Sequence, residues 1–151
     1  MRPIVVPVNF AANAANAARY AADIALNIGA DLHLIYVFQI PTSIGEVPMP
    51  ESVFDEMRDS GQELLDDLKT ALSKKTAGRV RITTDLEIGG VEAKIEAFCK
   101  QLKPFLVVMG ASGHQLENVI NGSTTVRAIR HLPYPILVIP ENTSFRPVRK
   151  I

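Results

Sequence analysis

Short β-branched apolar runs alternate along this chain with segments whose apolar residues recur at helical spacing, and few architectures accommodate that alternation. Ile4 to Val8 reads as a buried strand. Ala14, Ala17, Ala18, Ala21, Ala25 and Ile28 follow at helical period, ending at Gly29, and their small size implies a helix packed close on a sheet. Leu32 to Phe38 is a second strand. A connector over 39–50 carries Pro41, Pro48 and Pro50, which block helix. Val53, Met57, Leu64, Leu65, Leu68 and Leu72 make the stripe of a long helix from Glu51, with Lys74 and Lys75 in its last turn and Gly78 beyond it. Val80 to Ile88 is the third strand, Gly89-Gly90 a turn, and Val91 to Leu102 a helical face. Phe105 to Met109 is the fourth strand. A glycine-containing loop runs from Gly110 to Gly122, a short helix covers about Ser123 to Leu132, and Ile136 to Ile139 is the last strand. The order βαβαβαβαβ implies an α/β fold: a doubly wound, five-stranded parallel sheet with helices on both faces and right-handed crossovers.

With 151 residues the chain is one domain long. Sixteen basic residues balance sixteen acidic ones, so no global field draws in nucleic acid. The single cysteine, Cys99, excludes an internal disulfide and fits a reducing compartment. The opening apolar run is too short for a signal peptide, and no run approaches the ~20 residues of a membrane helix. A cytoplasmic protein is expected.

In doubly wound sheets ligands sit at the carboxyl ends of the strands, where the strand order reverses. An order 3-2-1-4-5 puts that crevice between the first and fourth strands, although periodicity alone leaves the order open. Two segments would meet there: Pro7-Val8-Asn9-Phe10, and Val108-Met109-Gly110-Ala111-Ser112-Gly113 with its continuation to Gly122-Ser123-Thr124. Glycines let backbone approach an anion, the N–H groups of a helix start attract phosphate, and the Ser123 hydroxyl can add a donor. Glycines after a strand also serve ordinary turns, and serine at a helix start is commonly only a cap.

The chain resembles the universal stress protein family. The likeness runs over nearly its whole length: Ile4-Val5-Val6-Pro7-Val8-Asn9-Phe10, the alanine-rich first helix, and Val107-Val108-Met109-Gly110, Gly122-Ser123 and Pro135-Ile136-Leu137-Val138-Ile139-Pro140. The resemblance implies a five-stranded parallel sheet in the order 3-2-1-4-5, like that of the adenine nucleotide alpha-hydrolases, with the domain over 1–140 and a tail or linker over 141–151. It also implies ATP binding through a motif of Gly, two residues, Gly, nine residues, then Gly-Ser or Gly-Thr. Carried onto this chain, Gly110, Gly113, Gly122 and Ser123, with Thr124 after them, match the phosphate loop. Pro7, Val8 and Val37 match positions around the adenine and its sugar, and Met109 a residue beside ribose or phosphate. Two departures stand out. Eight residues separate Gly113 from Gly122, which shortens the loop by up to ~3.5 Å of chain. Asn9 replaces the family's usual acid, and it can hydrogen-bond but brings no charge.

The expectation is therefore a regulatory domain that binds ATP or a related adenine nucleotide, with magnesium as its companion. The alternative is an interaction module of the same fold with a degenerate pocket. No catalytic dyad or P-loop lysine is present, so an enzyme is not expected beyond a weak ATPase. His33, His114 and His131 lack metal-ligand spacing, and Cys99 shares a helix face with Phe98 and Leu102 as a buried thiol would. The apolar last strand, 135–140, should lie at a sheet edge and pair two copies, as the resemblance also implies. The tail Phe145 to Ile151 echoes Arg2-Pro3-Ile4-Val5, which suggests that a second similar domain follows.

Overall fold

A computed structural model describes residues 2–9, 12–38, 50–111, 131–140 and 145. In chain order the elements are β1 (Ile4–Val8), α1 (Ala12–Ile28), β2 (Leu32–Phe38), α2 (Glu51–Lys75), β3 (Ile82–Ile88), α3 (Val91–Leu102), β4 (Leu106–Ala111) and β5 (Ile136–Pro140). The five strands are parallel in the order β3-β2-β1-β4-β5, so the sheet reverses direction of growth between β1 and β4. Residues 39–49 of the expected 39–50 connector, the expected Gly110–Gly122 loop from Ser112 onward and the helix from Ser123 lie outside the described residues, apart from a helical His131 at the latter's end.

The period of two sorts the strand residues onto two faces. Ile4, Val6 and Val8 of β1, Leu32 and Leu34 of β2, Val108 of β4 and Ile139 of β5 are buried with the alanines of α1 and with Leu65 and Leu72 of α2. Ala17, Ala18, Ala21, Ala22 and Ala25 have no exposed surface, which brings the α1 backbone close to β1 and β4 as their size implies. Val5, Ile35, Val37, Val107 and Met109 form the other core with Ile95 and Cys99 of α3. Gly29, with φ +73°, lets the chain leave α1 in the left-handed conformation. Gly61, inside α2, serves close approach. A Cβ there would stand 3.1 Å from Leu86 Cδ1 and 3.1 Å from Tyr36 Cε2, so glycine lets the helix cross the sheet at this point.

Three strands differ in extent from their sequence pattern, β5 by running one residue further, to Pro140. β3 begins at Ile82 rather than Val80, although the Arg81 carbonyl already accepts the Leu32 N–H at 2.9 Å. β4 runs past Met109 to Ala111, because β5 pairs with it that far: Gly110 opposes Ile139 and Ala111 opposes Pro140. Gly110 is thus the penultimate residue of a strand and not the start of the loop. Pro140 closes an edge strand, where proline is tolerated.

His33 is nearly buried on β2, and its Nε2 is hydrogen-bonded to Oδ2 of Asp85 on β3, with the Phe98 ring 5.7 Å away. The sheet supplies a carboxylate that no local spacing places beside this histidine. Among the described residues no group of three or more His, Cys, Asp or Glu could hold a metal ion, and no helix is long and apolar enough to cross a membrane.

Cys99 is fully buried, and burial pushes its thiol from 9.0 up to about 11. The folded value lies above the unfolded one. The stability this contributes is present below about pH 9 and is lost as pH rises toward 11, because the unfolded thiol ionises first. Denaturant titrations of wild type and Cys99→Ala should therefore diverge in slope across that window, the wild type falling faster. The native thiol should resist alkylation until the protein unfolds. Rapid native-state alkylation near neutral pH would contradict this burial.

Candidate functional site

The ladder between β1 and β4 contains only Ile4↔Leu106 and Val5↔Val107, whereas β1 pairs with β2 over all five of its residues. Proline chemistry explains the difference. The Ile4 N–H donates to Asp31 O at 2.8 Å, on the β2 side. Successive N–H groups point to opposite sides of a strand, so those of residues 5 and 7 point toward β4. Residue 7 is proline and has no N–H to give. The ladder therefore stops after Val5, and the carboxyl ends of two central strands separate where the sheet order reverses. On the far side β4 stays paired with β5 through Ala111, so the notch has one firm wall from each half of the sheet.

The sequence-derived residues distribute around this notch in two groups. Pro7, Val37 and Met109 fall on one face by strand alternation, the face shared with α3. Val37 and Met109 are buried in that core, at 8% and 5% exposure, and Pro7 is half-buried. All three are apolar, and Pro7 has the most surface left open. The Val8 side chain points the other way into the core beneath α1, leaving only its backbone toward the notch. Asn9 is exposed at the strand end. Gly110 is half-buried opposite Ile139. Gly113, Gly122, Ser123 and Thr124 lie outside the described residues.

On the α1 side the Asn16 amide donates to the Pro140 carbonyl at 3.3 Å, tying the helix to the end of β5. Sequence reasoning did not single out Asn16, since the contact spans 124 residues. None of the described residues at the ends of β1 and β4 carries a carboxylate. They offer apolar and backbone groups, and to magnesium no more than the Asn9 amide oxygen, a weak donor beside the carboxylates this ion usually takes.

The family model described as "Universal stress protein family" matches residues 1–140. A universal stress protein of Methanocaldococcus jannaschii is 29% identical over 142 residues, covering 91% of this chain and 81% of that protein. Among solved structures, the universal stress protein UspA from Lactobacillus plantarum superposes with a TM-score of 0.75 at 27% identity, covering 91% of this chain and 97% of that one. A universal stress family protein from Burkholderia pseudomallei gives 0.72 at 25% identity, covering 92% and 96%. More distant structures share the fold and hold nucleotides. One is the Archaeoglobus fulgidus universal stress protein in complex with dAMP, with TM-score 0.63 and 18% identity over 91% of this chain and 97% of that one. Another is an Arabidopsis thaliana family protein with AMP bound, with 0.66 and 16% over 94% and 93%. With the family model spanning 140 residues and the sheet order matching, the chain belongs to the universal stress protein family.

Proposed function

We propose that this protein binds an adenine nucleotide in the notch between β1 and β4 and acts as a regulatory nucleotide-binding domain. One observation carries the reading: Pro7 ends the β1–β4 ladder at the point where the sheet order reverses, next to the apolar surface of Val37 and Met109. Relatives of the same fold that hold AMP or dAMP support the choice of adenine. The base would stack on Pro7, Val37 and Met109. The phosphates would lie toward Gly110, Gly113, Gly122, Ser123 and Thr124, the residues that match the family's phosphate loop. Bound nucleotide would bias the dimer state of the protein. A thermal-shift titration with AMP and ATP, with and without magnesium, tests the reading. A ligand at a hundred times its Kd adds about 2.7 kcal/mol to the folded state, an easily measured rise in Tm. A flat response to every nucleotide would favour the pocketless interaction module.

Asn9 sets the expected magnesium response. Asn9→Asp adds a negative charge at the mouth of the notch, so ATP affinity in EDTA should fall several-fold and recover when magnesium is added. Wild-type affinity should change much less between the two conditions. Calorimetric titration of both proteins checks this, and identical magnesium dependence in both would remove Asn9 from the site.

β5 is an edge strand, and Ile136, Leu137 and Val138 on it are half-buried apolar residues. Such an edge favours strand pairing with a second copy. Light scattering should report a dimer that Val138→Lys dissociates, and a wild-type monomer at high concentration would contradict the assignment.

A further inference from the structure

α2 is half anchored and half overhanging. Its fully buried residues are Gly61, Leu65 and Leu72, all beyond its first ten, where Val53, Phe54 and Met57 are half-buried. The overhang and the end of β2 enclose a groove of about 330 Å³. Tyr36 and Phe38, with ring centroids 5.6 Å apart, line it from the sheet, and Val53, Met57 and Leu64 line it from the helix. Leu64 is 44% exposed, high for a leucine beside other apolar groups. Val53, Met57, Ser60 and Leu64 recur at i, i+4, i+7 and i+11, which makes one continuous stripe facing the groove.

The flank of that stripe is acidic. Residues 51–67 contain seven acidic side chains and one basic one, in a chain whose total charge is zero. Glu56 lines the groove itself, and Asp59, Glu63 and Asp67 continue from it at helical spacing along the same flank. The helix dipole accounts for acids in the first turn only, and these lie in the second turn and beyond. Asp55, Asp59, Glu63 and Asp67 stand four apart in succession, and like charges at that spacing cost helix stability. Among the described residues none of the four carboxylates flanking the groove is in an ion pair. The sequence thus sustains an unfavourable local charge pattern beside an apolar groove that the described residues leave open, a conflict expected at a functional surface.

We propose that this groove is a docking surface for a basic helical segment of a partner protein, with apolar anchors on one face and lysines or arginines on its rim. Charge complementarity selects that class. The carboxylates repel phosphate backbones and anionic lipid surfaces, which disfavours nucleic acid and membranes. A stripe with apolar residues at i, i+4 and i+11 and Ser60 at i+7 fits a helix laid along it. The assignment is independent of the nucleotide reading, since the groove shares no residue with the notch.

The probe is a synthetic peptide of leucine and lysine about four helical turns long, with its leucines on one face. Calorimetry with the whole protein should give one site, and amide NMR shifts should centre on Tyr36, Phe38 and residues 53–64. Leu64→Asp and the pair Glu56→Lys with Glu63→Lys should each weaken binding about tenfold or more, which is about 1.4 kcal/mol. Both variants change exposed residues, and unaltered melting would establish that they fold. A scrambled peptide of the same composition should bind at least tenfold more weakly. The proposal is overturned by any of four results: no binding, equal binding of the scrambled peptide, affinity untouched by Leu64→Asp, or sedimentation in which the protein self-associates through this groove, which would make a second copy its occupant.

Discussion

Replacing Pro7 with valine is expected to weaken adenine-nucleotide binding about tenfold or more while leaving the protein folded. Valine restores an N–H on the side of β1 that faces β4. The register Val5↔Val107 would then extend toward Met109, and the notch would close from its base. The stability change should be small. The added hydrogen bond contributes about 0.5–1.5 kcal/mol, and losing proline's restriction of the unfolded chain costs about 0.4–1 kcal/mol. A loss of affinity at nearly constant Tm would separate this effect from unfolding. Calorimetry and thermal melting on the same preparation make the test, and full affinity in Pro7→Val would mean that the ladder break is irrelevant to the site.

The largest expected effect on stability is at Leu34. Its side chain is fully buried on the face beneath α1 and α2, in the strand flanked by β1 and β3. Leu34→Ala should cost about 2–5 kcal/mol, combining lost transfer energy with the cavity left behind. Against a total of about 5–15 kcal/mol that is a large share. Leu64→Ala, at 44% exposure, should cost far less, and urea denaturation of both reads the contrast. Equal losses at the two positions would contradict the core described for β2.

Much of the architecture was legible in the residues. β1 and β2 have the bounds their β-branched runs imply, and the buried alanines of α1 mark close helix–sheet packing. The family resemblance supplied the strand order, which alternation alone left open, and the structure has it. The end of β4 was not legible, because Gly110 reads as a turn residue in sequence and is held in the strand only by β5. The partner of His33 was hidden for a similar reason: Asp85 is 52 residues away and meets it only through the β2–β3 register. Pro7 was visible as a family residue. Its consequence for the ladder needed the identity of the neighbour on its N–H side, which is a property of the sheet.

The notch floor and the α2 groove lie on opposite faces of the sheet. The apolar floor of the notch, Val37 and Met109, belongs to the α3 face, and the α2 groove lies on the other, yet both include residues from the end of β2. Val37 and its neighbours Tyr36 and Phe38 alternate between them. A shift of this strand end would therefore be felt at both sites, a physical route by which nucleotide could alter partner docking.

The most direct test of the central claim is an amide-detected NMR titration with AMP. Saturable shifts centred on Val8, Asn9, Val37, Met109 and Gly110 are expected. Absence of saturable shifts up to several millimolar AMP, beyond the ~1 mM Kd that corresponds to about 4.1 kcal/mol of binding, would contradict the claim. So would saturating shifts confined to other parts of the sheet.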